Sequence, residues 1–284
     1  MISYPYKTHY LALPGNCNIA YADEGAGPGT LLFIHGLANY LPVWRKNIDE
    51  LRKHYRCIAI DLPGSGLSDQ KEHPYGVAFF ADTVYQFISA MRLTNVCIVG
   101  HSMGGQIAMA TVLRYPLCAA RMVLCAPAGF ERFTALDKTL YYSTLRMFDF
   151  MSSDEHSLRS TIENSFYRNS SQGEPMVREL IALMKTYKTS YYRKMIEACI
   201  KGMLEEPVYD ALHTIQQPTL VIFGRQDALI PNKLLHHTTT EKLAAEAVKK
   251  MPHAALLVLP DCGHFVQWEK AAEVNQYIHA FMQQ

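Results

Sequence analysis

Short, continuous apolar runs alternate with stretches of helical periodicity along most of this chain. Eight apolar runs predict strands: residues 9–13, 18–22, 30–34, 56–60, 95–100, 121–125, 218–223 and 255–259. The first two are joined by turn residues and predict a hairpin. Most of the others are continuously apolar after their first residue, which is typical of strands covered on both faces, as in a parallel sheet.

The segments between these strands carry helical patterns. Residues 42–54, 77–91 and 235–251 read as helices, and in the second of them Phe80, Val84 and Phe87 fall on one face. From 130 to 213 only helical patterns occur. The alternation predicts an α/β fold: a mostly parallel eight-stranded sheet with helices on both faces and a helical insertion. We expect a core of residues 1–129 and 214–284 around a helical cap of residues 130–213.

Composition limits the classes of function. The chain has 284 residues, of which 49% are hydrophobic, and its 27 Lys and Arg nearly balance its 26 Asp and Glu. No overall field therefore favours nucleic acid or an anionic membrane. No apolar run approaches about eighteen residues, and the first residues do not resemble a signal peptide. We expect a cytoplasmic monomer or homodimer that acts on a small molecule.

Cysteine and histidine spacing argues against a metal or disulfide framework. The seven cysteines are scattered, without a CxxC pair, and several lie in apolar runs where a buried thiol is the usual state. His236 and His237 are adjacent and do not share a helical face. We expect neither a metal nor a cofactor.

One stretch carries the strongest chemical signal. An apolar strand ends at Gly100, a helical pattern begins after Ser102, and the segment between reads Gly-x-Ser-x-Gly. A serine forced into a tight strand-to-helix turn needs neighbours without a Cβ. The first amides of the new helix lack intrahelical acceptors, so the Met103 N–H is a candidate donor to an oxyanion. The pattern predicts that Ser102 is a nucleophile.

Two further strand ends carry the partners that a serine nucleophile requires. Asp227 and His264 each follow a strand, in the order Ser, Asp, His. Serine is a poor nucleophile unless an imidazole takes its proton, and a carboxylate must hold that imidazole in the right tautomer. Asp261 and Glu131 are the alternative acids.

Several motifs in this order resemble the α/β-hydrolase fold family across nearly the whole chain. They are His35-Gly36, residues 61–68, residues 100–105, residues 224–227 and residues 263–265. The resemblance implies that the helical insertion is a cap domain. It also implies that the Leu37 N–H is the second oxyanion donor and that His35 stabilises its loop.

The resemblance and the triad predict a serine hydrolase that cleaves carboxylic esters with small to medium apolar acyl groups through an acyl-enzyme. The residues expected to contact substrate are Phe130, Phe133, Tyr141, Met147 and Phe265. Residues 102–105, 224–227 and 264–269 also resemble the meta-cleavage-product branch of this family, whose members cleave carbon–carbon bonds. That alternative needs a cationic anchor for a diketo acid, for which the candidates are Arg146, Arg159, Arg178 and Arg193. A third alternative, from another class, is a ligand receptor with a slow triad.

Overall fold

A computed structural model of the chain describes residues 4–15, 17–147, 155–169, 173–187 and 189–284, without the side chains of residues 144–147, 157, 158, 169 and 189. Within these ranges the strands are β1 (His9–Leu13), β2 (Cys17–Glu24), β3 (Thr30–Ile34), β4 (Arg56–Ile60), β5 (Val96–His101), β6 (Arg121–Cys125), β7 (Thr219–Gly224) and β8 (Ala254–Leu259). They form one sheet in the order β1-β2-β4-β3-β5-β6-β7-β8. Among these strands only the pairs β1–β2 and β2–β4 are antiparallel, which confirms the mostly parallel eight-stranded sheet.

Burial of the central strands explains their continuous hydrophobicity. Every residue of β3, β5 and β7 is buried, because helices cover both faces of a parallel sheet. The hairpin strand β1 lies at the edge, where only Leu13 is fully buried.

The described α-helices connect the strands or belong to the insertion. They are α1 (Arg45–Leu51), α2 (Val77–Ala90), α3 (Met103–Arg114), α4 (Ala135–Met147), α5 (Glu155–Glu163), α6 (Glu174–Met184), α7 (Thr189–Glu205), α8 (Thr240–Val248), α9 (Val266–Glu269) and α10 (Ala271–Met282). None of the helices in the described ranges is long and apolar enough to cross a membrane.

Two predicted helices are shorter than their patterns. Within 42–54, a 3-10 turn at Leu41–Trp44 precedes α1. Within 235–251, the helix begins only at Thr240, because the Thr239 hydroxyl accepts a hydrogen bond from the Lys242 N–H and caps it there. The Thr239 hydrogen bond therefore sets a helix start that periodicity alone places only approximately.

The insertion between β6 and β7 carries helices α4 to α7 and no strand in its described residues. It is anchored to the core by polar contacts. The Gln106 side chain on α3 donates to the carbonyls of Met203 (3.0 Å) and Glu206 (3.2 Å), and the Glu206 carboxylate accepts from the Ala78 N–H (2.6 Å). The end of α7 is therefore fixed to both α2 and α3. The division into core and cap at residues 130 and 213 stays a prediction.

Candidate active site

Ser102 occupies a strained turn between β5 and α3. Its backbone has φ 53° and ψ −119°, a conformation that residues with a Cβ rarely adopt. The Ser102 N–H donates to the Cys125 carbonyl (3.0 Å), and the Ser102 carbonyl accepts from the Ala128 N–H (3.0 Å). Neighbouring strand β6 thus holds the turn in place.

The glycines of the motif permit close contact between backbones. A Cβ on Gly100 would lie 2.4 Å from the Gly104 carbonyl oxygen, and a Cβ on Gly104 would lie 2.4 Å from the Ile34 carbonyl oxygen. Neither clash can be relieved by a side-chain rotation, because backbone atoms are involved. The pattern is therefore required by the packing of α3 against β3 and β5.

Asp227 and His264 form a buried pair at the ends of β7 and β8. The His264 Nδ1 lies 2.9 Å from Asp227 Oδ2, and both side chains are almost fully buried. The other carboxylate oxygen of Asp227 accepts from the N–H groups of Leu229 (2.8 Å) and Ile230 (3.0 Å). Since a carboxylate only accepts, Nδ1 of His264 carries the proton, which leaves Nε2 free to act as a base.

Ser102 and His264 line the same cavity of about 430 Å³. Its walls are mostly apolar and come from both the sheet edge and the insertion. The apolar residues include Leu180, Met184, Ile200, Met203, Leu204 and Leu229. This volume lies in the usual range for a small-molecule site.

The loop after β3 supplies the second predicted oxyanion donor. Gly36 and Leu37 line the cavity, and a Cβ on Gly36 would lie 3.0 Å from the Ser102 Cβ. His35 holds this loop: its Nδ1 donates to the Gly36 carbonyl (2.8 Å) and its Nε2 accepts from the Leu62 N–H (3.0 Å). Burial lowers the pKa of His35 to about 4, so the ring stays neutral. Met103 is the first residue of α3, directly after Ser102.

His101, next to the candidate nucleophile, helps to hold the loop that carries His264, here called the histidine loop. Its Nε2 donates to the His264 carbonyl (3.1 Å). Burial, and secondarily the neighbouring His264, hold the pKa of His101 well below its usual value. We interpret His101 as a neutral structural residue.

The predicted substrate contacts divide into three groups. Phe133, Tyr141 and Phe265 line the cavity. Phe130 does not: it is buried and packs on Phe223 with ring centroids 6.0 Å apart, because it continues the core beyond β6. Met147 ends α4, and its side chain lies outside the described part of the chain.

Sequence reasoning missed the contacts that join the insertion to the histidine loop. The Ser165 carbonyl accepts from the His264 N–H (2.8 Å). The Glu269 carboxylate accepts from the Gly263 N–H (3.0 Å) and, through its other oxygen, from the Tyr167 N–H (2.8 Å). Glu269 ends the short helix α9, and no local pattern there predicts these contacts, so only its position in space reveals the role.

Glu131, the alternative acid, is paired elsewhere. Its Oε1 lies 2.7 Å from the His236 Nδ1 and accepts from the Asn232 N–H (2.7 Å). This hydrogen bond raises the pKa of His236 above its usual value. Glu131 lines the same cavity as Ser102, but Asp227 is the acid that contacts His264.

Among the described residues, one group has the ligand types of a metal site. Donor atoms of Cys17, Asp69 and His73 lie within 4.8 Å of one another, away from the residues that line the cavity at Ser102. Asp69 already contacts His73 (3.2 Å) and Lys71 (3.7 Å). Burial raises the pKa of the Cys17 thiol to about 12. We interpret the group as a polar cluster in which His73 and Lys71 are the partners of Asp69.

Comparison with known proteins decides the family. The family model described as alpha/beta hydrolase fold matches residues 29–271, which include Ser102, Asp227 and His264. The chain belongs to the α/β-hydrolase fold family.

Curated relatives of this α/β hydrolase have different activities. A 2-hydroxymuconate semialdehyde hydrolase from Pseudomonas sp. (strain CF600) is 28% identical over 271 residues, covering 92% of this chain and 88% of the relative. A dihydrolipoyllysine-residue acetyltransferase component of the acetoin cleaving system from Cupriavidus necator is 27% identical over 262 residues and covers 90% of this chain. The match spans only 64% of that longer protein.

Solved structures share the fold of this α/β hydrolase. A probable hydrolytic enzyme from Pseudomonas aeruginosa PAO1 aligns with a TM-score of 0.84 and 24% identity, over 100% of this chain and 96% of the other. A thermophilic esterase from Thermogutta terrifontis aligns with a TM-score of 0.79 and 22% identity, over 98% of both chains. At these identities the likeness concerns the fold alone.

Proposed function

We propose that this α/β hydrolase is a serine carboxylesterase that cleaves esters of small to medium size through an acyl-enzyme. The observation that carries the proposal is the arrangement of three side chains: Ser102 in a strained turn, facing one cavity with His264, whose ring is held by Asp227. This arrangement serves acyl transfer, since each group supplies a function that the others lack.

The first half of the reaction forms the ester of Ser102. His264 Nε2 takes the hydroxyl proton as Ser102 Oγ attacks the ester carbonyl, while Asp227 stabilises the resulting imidazolium. The N–H groups of Leu37 and Met103 donate to the oxygen that becomes negatively charged. Collapse of the tetrahedral intermediate expels the alcohol, which receives its proton from His264.

The second half releases the acid. His264 takes a proton from water, and the hydroxide attacks the acyl-enzyme carbonyl over the same two amides. Ser102 leaves with the proton from His264, and the enzyme returns to its starting state. The apolar walls of the cavity, of about 430 Å³, favour an apolar acyl group of modest length.

Carbon–carbon bond hydrolysis is the second candidate, and the relatives named as 2-hydroxymuconate semialdehyde hydrolase and related enzymes favour it. An anionic diketo acid needs a cationic anchor. In the described part of the chain no arginine lines the cavity, and its one lysine, Lys233, is an exposed residue that solvent already hydrates. The side chain of Arg146 lies outside the described residues. Arg159 and Arg178 both contact Glu174 instead. The lining therefore favours the ester.

The test is a burst and steady-state assay with p-nitrophenyl esters of increasing chain length. We expect the wild type to turn over short or medium esters and Ser102→Ala to lose the burst and the turnover. Ser165→Ala is the matched control, because Ser165 lines the same cavity but its hydroxyl bonds the Thr161 carbonyl. Ester turnover that survives in Ser102→Ala would overturn the mechanism.

The same assay separates the alternatives. A wild type that is inert to every ester but cleaves a vinylogous diketo acid would be a carbon–carbon bond hydrolase. Tight ligand binding with very slow turnover of both substrates would indicate a receptor.

A further inference from the structure

One acidic side chain faces the catalytic cavity without serving the triad. Among the described residues that line the cavity, Glu131 is the only Asp or Glu. Its side chain is 9% exposed, so the carboxylate is largely withdrawn from bulk solvent. A buried carboxylate in apolar surroundings is costly unless each oxygen has partners.

The partners of Glu131 leave one oxygen available. Both described hydrogen bonds, from the Asn232 N–H and the His236 Nδ1, reach Oε1. Oε2 has no hydrogen-bond partner among the described residues, and it is not sealed within the protein interior. These two anchors on Oε1 fix the carboxylate and leave Oε2 as an acceptor for a ligand.

Other side-chain acceptors of the cavity are blocked or uncharged. The Asn39 Oδ1 is sealed away from solvent, and the Asn232 Oδ1 accepts from the Leu234 N–H (3.1 Å). The Gln106 amide is neutral and only 1% exposed. Glu131 carries the one carboxylate in the described lining, and a donor group binds a charged acceptor more strongly than a neutral one, so Glu131 is the preferred acceptor for a donor on a bound ligand.

Two hydrogen bonds already stabilise the carboxylate of Glu131. His236 contacts it directly, and the rings of His236 and Phe133 lie 5.0 Å apart, so the pair is held against the cavity wall. A neutral hydroxyl or N–H group completes the hydrogen bonding of such a carboxylate without the desolvation cost of a full cation. Hydrogen bonds to an ionised acceptor are stronger than neutral ones, and more so in a low-dielectric cavity.

We propose that Glu131 Oε2 is a specificity subsite that binds a hydroxyl or N–H donor on the substrate, with His236 as its positioning residue. The inference rests on the proposed esterase function and deepens it: the substrate is an ester with one polar donor in its otherwise apolar acyl or alcohol part. A wholly apolar ester would cover Oε2 without giving it a partner.

The test compares matched esters that differ only in one terminal group. For the acyl side these are p-nitrophenyl hexanoate and p-nitrophenyl ω-hydroxyhexanoate; for the alcohol side they are hexyl hexanoate and ω-hydroxyhexyl hexanoate. We expect the wild type to prefer the hydroxylated member of one pair in kcat/KM. In Glu131→Gln an amide N–H₂ replaces Oε2, so that preference should fall roughly tenfold to a hundredfold, chiefly through KM.

Control variants separate the subsite from general damage. Lys233→Met removes the lysine of the cavity lining and should leave the preference unchanged. His236→Gln removes one of the two anchors and should reduce the preference less than Glu131→Gln does. The apolar ester reports on the catalytic machinery in every variant, so a loss confined to the hydroxylated ester cannot come from misfolding.

Binding supplies a readout that does not depend on turnover. Calorimetry on Ser102→Ala, alone and combined with Glu131→Gln, measures the affinity for the same intact esters. Absence of a wild-type preference in both pairs, or a preference that survives Glu131→Gln, would overturn the subsite. Absence of turnover together with a Glu131-dependent binding preference would overturn the esterase function but keep the subsite.

Discussion

The Glu269 carboxylate connects the insertion to the loop that carries His264, and replacing it tests how far this connection supports catalysis. Glu269→Gln keeps the shape of the side chain but leaves a single acceptor oxygen for two N–H donors, those of Gly263 and Tyr167. One donor would then face the amide nitrogen. Hydrogen bonds to a charged group contribute about 1.5–3 kcal/mol each, so we expect a loss of about 2–3 kcal/mol in unfolding free energy.

Catalysis should weaken as well, because Gly263 directly precedes the candidate base. A displacement of well under an ångström at a reacting group is costly, so we expect kcat to fall by on the order of tenfold with little change in KM. Urea unfolding followed by tryptophan fluorescence measures the first effect, and the p-nitrophenyl ester assay measures the second.

Glu273→Gln is the matched control on the next helix. Glu273 is half exposed and lies 3.6 Å from Lys270, a surface pair worth about 0–1 kcal/mol. If Glu269→Gln and Glu273→Gln gave the same unfolding midpoint and the same kcat, the bridging role of Glu269 would be wrong. A loss of stability without a loss of kcat would reduce Glu269 to a purely structural contact.

Three further predictions follow from the buried residues. Burial raises the pKa of the Asp61 carboxyl from 3.8 to about 6. The folded protein therefore holds this proton more tightly than the unfolded chain does. The free energy of unfolding should fall by up to about 3 kcal/mol as the pH rises from about 4 to about 6. Urea unfolding of Asp61→Asn should lack that fall, and equal slopes in both proteins would contradict the assignment. Gly104→Ala should lower the free energy of unfolding by about 1–3 kcal/mol or more, seen as a lower urea midpoint, because the new Cβ would clash with the Ile34 carbonyl. An unchanged midpoint would mean that the turn at Ser102 can relax. Asp227→Asn should reduce kcat on the order of 10⁴-fold with an unchanged circular dichroism spectrum, because the amide no longer holds His264 in the tautomer that leaves Nε2 as a base. Full activity would mean that another residue orients His264.

The sheet and the triad candidates could be predicted from the sequence because each leaves a local signature. Continuous apolar runs marked β3, β5 and β7, and glycine spacing marked the turn at Ser102. Phe130 is buried outside the described cavity lining, although it was predicted to contact substrate, since an aromatic side chain after a strand looks the same in sequence whether it faces a cavity or continues the core. The role of Glu269, and the pairing of Glu131 with His236, depend on residues about one hundred positions apart, and no local pattern encodes such pairs.

The two ends of the insertion lie together, although β6 and β7 are parallel and the chain must still cross over between them. A Cβ on Gly129, where the chain enters the insertion, would lie 2.7 Å from Val208 Cγ2, near the point where the chain returns to the core. A segment of almost any length can close so short a gap at small entropic cost. Segments of other lengths and folds could be exchanged at this position by recombination or protein engineering without changing a strand register. Residues 203–206 accept hydrogen bonds from the Gln106 amide on α3 and from the first turn of α2. A graft that keeps these residues would retain this attachment to the core, while the cavity above Ser102 is rebuilt for another substrate.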